Sequence, residues 1–157
     1  MAEIDFSKAA LSETAAKFIA TFLRFEFALK ESGFGPENAD ALVEWRRVAD
    51  ELGQDFFDYI RTSGKAATLV NAPPKKQVTR SHQLEWVDQN PPRNVTELLS
   101  AVRRVRNNLF HGGKSGDPEY DAGNPSRSRT LISEAQWVVE QSILRMDNVK
   151  VHFEGRY

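Results

Sequence analysis

The chain has no cysteine, which excludes disulfides and thiolate-bound metals and suits a reducing cytosol. It has no run of about 18 apolar residues, so no membrane span is expected. The opening "MAEIDFSKAALSE" lacks a basic n-region and a continuous apolar h-region, so no secretory signal is expected and the cytoplasm is the anticipated location. No phosphate-binding glycine loop and no serine or cysteine triad signature occurs, which removes kinase, GTPase and hydrolase readings. His82 and His152 stand alone, without metal-ligand spacing, and read as structural. No cofactor or metal is expected. Internal repeats and low-complexity linkers are also missing.

What is present is an ordinary globular composition, 40% hydrophobic and 27% charged over 157 residues. This suits one domain, residues 1–157, with one substantial core. Net charge is only −1, but the charge is unevenly spread. Residues 1–60 hold 6 Lys/Arg against 12 Asp/Glu, whereas residues 61–129 hold 12 against 6. Such asymmetry concentrates an anionic ligand at one surface, or draws two halves of a protein or dimer together.

Apolar periodicity predicts four main helices. The first is "SETAAKFIATFLRFEFALKES", with Ser12 as N-cap and Gly33 and Gly35 as its stop. A second follows Pro36 and Asn38, carried by Leu42, Trp45, Val48, Leu52, Phe56 and Tyr59, and ends near Thr62–Gly64. The span 64–94 has two Pro-Pro pairs and no clear period, so it reads mostly as loop. A third helix begins at Asn94 with Glu97 as capping-box partner and stops at Gly112 or Gly113. A fourth runs from about Thr130 to Met146 on a stripe of Ile132, Ala135, Val139, Ile143 and Met146. The end, "NVKVHFEGRY", reads as a brief strand or a tail. The expected fold is an all-α bundle of four to five helices, with a long proline-containing loop between helices 2 and 3.

Two charges fall where apolar residues should. At about 100° per residue, Glu26 lies inside the arc of Phe18, Phe22 and Leu29, and Arg106 inside that of Leu98, Val102 and Leu109. A lone buried charge is costly, so the two are expected to pair, with a bidentate carboxylate holding the guanidinium flat. Such a pair could serve a site or only fix helix register. Arg24 points elsewhere and reads as solvated. Arg103, Asn107 and His111 recur every four residues and form a polar row beside Arg106. Arg106 and His111, five apart, are separated by about 140° on a regular helix. They meet only if the helix unwinds at Gly112 or if two copies face each other. A histidine at a helix C-terminus also serves as a dipole partner or cap.

The run "RNNLFH", Arg106 to His111, resembles the Arg-x(4–6)-His motif of the HEPN superfamily, with Asn107 as the polar residue that often follows the arginine. The order of the helices, the motif at the end of the third, and the polar loop after it are similar to that family's bundle. The stretch "FLRFEFALKESGF" also resembles first helices of family members. The resemblance covers most of the chain in architecture and is sharp over about ten residues. It implies a HEPN-type bundle, a homodimer whose two motifs complete one cleft, and metal-independent endoribonuclease activity. It also implies a place in toxin–antitoxin or phage-defence systems with an antitoxin or other partner protein. Many members are instead non-catalytic modules that bind nucleotide, RNA or protein.

Under that resemblance His111 would act as general base or acid and Arg106 would bind and stabilise the reacting phosphate. Asn107 would orient His111 or contact the phosphate, and Glu26 would hold Arg106 from behind. Arg103, Arg104, Lys114, Arg127 and Arg129 flank the motif as RNA contacts or as solvated surface. Lys75, Lys76 and Arg80 add positive charge, and Trp86 would stack on a base or anchor its loop. Trp137 and Leu144 form a second apolar strip, for a subunit contact or for the C-terminal tail. A third reading is a purely structural dimerisation domain.

Overall fold

A computed structural model describes residues 11–110 and 125–156. The chain is mostly helical. In order come α1 (Glu13–Glu31), α2 (Trp45–Ser63), α3 (Ala67–Asn71), β1 (Lys76–Arg80), β2 (Gln83–Val87), α4 (Val95–Phe110), α5 (Pro125–Arg145) and α6 (Asp147–Glu154). No described helix is long and apolar enough to cross a membrane.

The first helix starts and stops as its sequence demands. The Ser12 hydroxyl accepts from the Ala15 N–H at 3.1 Å, satisfying a donor that the first turn leaves free. At the other end Gly33 adopts φ +83°. Its N–H donates to the Lys30 carbonyl, and that of Phe34 to Leu29. This is a Schellman closure, and Phe34 folds back on the core as such closures favour.

The second helix begins later than its apolar period suggests. Leu42 is exposed and precedes the helix, because the Glu44 N–H is taken by the Phe34 carbonyl at 2.7 Å. This bond fixes the connection as a tight return instead of a first turn. The helix is also kinked, with Gly53 at φ 75° and ψ 169°, yet Val48, Leu52, Phe56 and Ile60 all reach the core.

The span expected to be mostly loop carries α3 and an antiparallel hairpin. Glu134 on α5 accepts from the N–H groups of Thr68 and Leu69 at 3.2 and 2.7 Å, supplying a cap that α3 lacks locally. In the hairpin Lys76 pairs with Val87 and Arg80 with Gln83. The two-residue turn is Ser81–His82, both with positive φ, as a type I′ hairpin requires.

The Asn94 side chain caps α4 by accepting from the Glu97 N–H at 2.9 Å. The Glu97 carboxylate reaches one residue further out than expected, to the Arg93 N–H at 2.7 Å. The fourth main helix starts at Pro125, earlier than Thr130, a first-turn position where a missing N–H costs nothing. The expected tail or strand is the helix α6. Arg24, expected to be only solvated, donates to the carbonyls of Phe153 and His152 at 3.0 and 3.1 Å, closing the end of α6.

Packing sets α1 against α5 and α6, and α2 against α4, with α4 also touching α1, α5 and β1. Phe18, Phe22, Phe25, Leu29, Phe56, Leu98 and Val102 are fully or almost fully buried between these layers. The predicted α5 stripe of Ile132, Ala135, Val139, Ile143 and Met146 is buried as well.

Candidate functional site

The site grows from the contact of α1 with α4. The apolar faces that bury Phe22 and Val102 also carry Glu26 and Arg106 inward. The two meet at 3.4 Å, Arg106 Nη1 to Glu26 Oε1, with each side chain only 20% exposed. The expected fork is not formed. Arg106 Nε instead donates to Asn107 Oδ1 at 2.9 Å, so its carboxylate partner is engaged through one nitrogen. The guanidinium carbon lies 4.8 Å from the centre of the Phe22 ring.

A second arginine repeats the arrangement beside it. The Arg103 guanidinium carbon sits 5.0 Å from the Trp45 ring centre, and Trp45 is stacked on Phe22 at 5.8 Å and 26°. Two cations therefore rest on one aromatic ledge, where the ring quadrupoles attract them. One carboxylate, Glu26, balances them in part. Burial and the charge of Arg106 lower the Arg103 pKa, while Glu26 opposes that shift. Guanidinium remains charged throughout the physiological range. The ledge is thus a fixed positive focus with an excess of one charge over its carboxylate, which suits a phosphate oxygen.

Of the polar row, Arg103 and Asn107 stand together on this side of α4. His111 and Lys114 lie outside the described residues. Arg104 turns away toward the hairpin, where its Nη1 reaches the Pro74 carbonyl at 3.5 Å, and burial lowers its pKa. Arg127 donates to the carbonyls of Ala72 and Pro73 at 2.7 and 3.0 Å, so it secures the segment after α3. Arg129 is exposed on α5.

The outlying candidates also find places. Trp86 is half-buried on β2, opposite Gln77. Trp137 packs beside Tyr59 at 6.1 Å, with Lys65 Nζ 5.7 Å from its ring centre. Leu144 lines a shallow groove with Phe153 of α6. His82 occupies the hairpin turn and His152 the last turn of α6. Among the described residues, no three His, Asp or Glu side chains gather as metal ligands.

A cleft of about 650 Å³ lies between the hairpin and α4. Asn108 ties its two walls by donating to the Lys75 carbonyl at 3.0 Å. Reading 64–94 as loop hides it, because its second wall is β1. No family model matches the chain, nor does any curated protein or solved structure.

Proposed function

We propose that this chain is a cytoplasmic, metal-independent endoribonuclease of HEPN type, working as a homodimer. The observation that carries the reading is the Arg106 guanidinium, held by Glu26 and Asn107 above Phe22, with Arg103 beside it. A side chain so constrained presents its remaining donors in a set direction, which favours binding of a charged transition state over flexible contact.

In the proposed reaction, a general base removes the proton of a ribose 2′-hydroxyl, whose oxygen attacks the adjacent phosphorus. The bond from phosphorus to the 5′-oxygen breaks, and that oxygen takes a proton from a general acid. The products are a 2′,3′-cyclic phosphate and a 5′-hydroxyl. His111 supplies the base or the acid, since imidazole titrates near neutral pH. Arg106 neutralises the phosphorane, Asn107 orients Arg106, and Glu26 fixes it from behind.

A second copy completes the site. Leu23, 51% exposed, precedes Glu26 by three residues, and Phe110, 56% exposed, follows Arg106 by four. Helical spacing puts each beside its charged neighbour, so the ion pair has an apolar frame suited to a subunit contact. The biological setting implied is toxin or phage defence, with an antitoxin or similar partner protein. The half-burial of the ion pair favours a second reading, in which the same site binds nucleotide or protein without chemistry, or only sets helix register.

The deciding experiment incubates wild-type, His111→Ala and Arg106→Ala proteins with cellular RNA in excess EDTA. The proposal expects cyclic-phosphate ends from the wild type, with each variant at least about 100-fold slower. It also expects partial recovery when the two variants are mixed, because one hybrid site regains both residues. Equal cleavage by wild type and His111→Ala sinks the assignment. An inert wild type that melts higher with a nucleotide supports the binding module.

A further inference from the structure

The cleft between α4 and the hairpin is lined without a carboxylate. Arg103, Arg104 and Asn107 stand on the α4 side, and Lys76, Gln77 and Thr79 on the β1 side. The acids of the hairpin are used elsewhere, since Asp88 pairs with Lys75 at 3.4 Å and Glu85 with Arg80 at 3.6 Å. Three cations thus share a concavity with amides and hydroxyls; Glu26 offsets Arg103 in part from outside the cleft, and no carboxylate lines it. Arg103 Nε and Gln77 Nε2 are screened from solvent and have no hydrogen-bond partner among the described residues. Buried donors left unpaired are costly, and an acceptor-rich ligand in this cleft would offer them partners.

The shape narrows the ligand. About 650 Å³ lies within the roughly 300–1,000 Å³ of pockets that enclose a nucleotide-sized group. With α4 on one side and β1 on the other, the cleft suits a strand better than the convex cylinder of a duplex. Val78 and Leu84 also line it, and they offer apolar contact to a base face. The cleft adjoins the proposed catalytic group, because Asn107 both lines it and accepts from Arg106.

We infer that this cleft seats a single RNA strand, gripped through its phosphates by Lys76, Arg103 and Arg104, and leads the scissile phosphodiester onto Arg106. The inference rests on the nuclease reading for its last step, but the grip itself is measurable without cleavage. The probe is a fluorescent 2′-O-methyl oligoribonucleotide ten residues long, which cannot form a cyclic phosphate, titrated into the full chain by anisotropy. Lys76 and Thr79 are exposed, so the K76E/T79E variant should fold normally and bind at least tenfold more weakly. At about −0.7 per phosphate contact on single strands, three contacts predict a log–log salt slope near −2 for the wild type.

The inference fails if the wild type does not bind the strand, or if K76E/T79E binds it equally well with an unchanged melting temperature. It also fails if a duplex of the same sequence, or adenosine monophosphate, competes as well as the strand. Cleavage by a wild type whose strand affinity ignores K76E/T79E would leave the nuclease and remove the cleft. Binding lost in K76E/T79E, with no cleavage under any condition, would leave the cleft and remove the nuclease.

Discussion

Arg104 and Arg106 leave the same helix two residues apart, both half-buried, and meet opposite surroundings. Arg106 finds a carboxylate, an amide and an aromatic face. Arg104 finds one backbone carbonyl at 3.5 Å and a cleft without carboxylates. Helix geometry explains the divergence, since two residues turn a side chain through about 200°. The difference teaches what each face of α4 is prepared to do. A cation whose charge is met inside the protein is fixed in place, and its free donors are aimed. A cation met only by a dipole keeps most of its demand for an anion and grips what arrives.

The largest effect expected from this division is kinetic. Under the nuclease reading, Arg106→Ala should lower kcat by about 100- to 1,000-fold, the scale for removing one transition-state donor. Arg104→Ala should act mainly on KM, raising it roughly tenfold, the scale of about 1.4 kcal/mol for one charged contact. Single-turnover kinetics with saturating enzyme separates the two. If both variants lose kcat equally, the two faces of α4 do not divide the work, and the comparison breaks.

A smaller effect concerns stability and needs no activity. Glu26 and Arg106 share a half-buried environment, so removing one partner leaves the other without its countercharge. A double-mutant cycle with Glu26→Gln and Arg106→Ala should give a coupling of about 1 kcal/mol in urea unfolding, above an exposed pair but below a fully buried one. A coupling near zero would mean that the 3.4 Å contact is geometric only, and that Phe22 and Asn107 alone position the guanidinium.

Much of this division was legible in the sequence, and the illegible part has physical causes. Helical period alone puts Glu26 and Arg106 inside apolar arcs, and the rule against lone buried charges predicts that they meet. The period says nothing of aromatic neighbours from other helices, so the Phe22–Trp45 ledge under Arg106 and Arg103 stays hidden. The bidentate expectation fails because Asn107, adjacent in sequence, competes for Nε. The hairpin escapes because its turn is Ser81–His82, with neither the Asn-Gly nor the Asp-Gly signature of such turns. The helix α3 escapes because its cap comes from Glu134, far along the chain. With the hairpin unseen, the second wall of the cleft is unseen as well. Arg127 then reads as a surface contact, although it binds the carbonyls of Ala72 and Pro73.

The smallest expected effect extends the comparison to a third arginine on the same helix entrance. Arg93 and Glu97 approach at 2.9 Å, closer than Arg106 and Glu26, but both side chains are more open to solvent than that pair. Hydrogen bonds from the Arg93 side chain and backbone hold the Glu97 carboxyl below its ordinary value of 4.5. A depressed carboxyl pKa favours folding above the unfolded value, and that contribution disappears as pH falls through the folded one. The Arg93 amide resonance, which reports Glu97 directly through its 2.7 Å hydrogen bond, should therefore titrate with a midpoint below 4.5. Arg93→Ala should bring the Glu97 midpoint up while leaving the melting temperature nearly unchanged, because water screens an exposed pair however short its contact. A melting temperature as sensitive to Arg93→Ala as to Arg106→Ala would show that distance, and not burial, ranks these pairs. The contrast between the two faces of α4 would then lose its electrostatic basis.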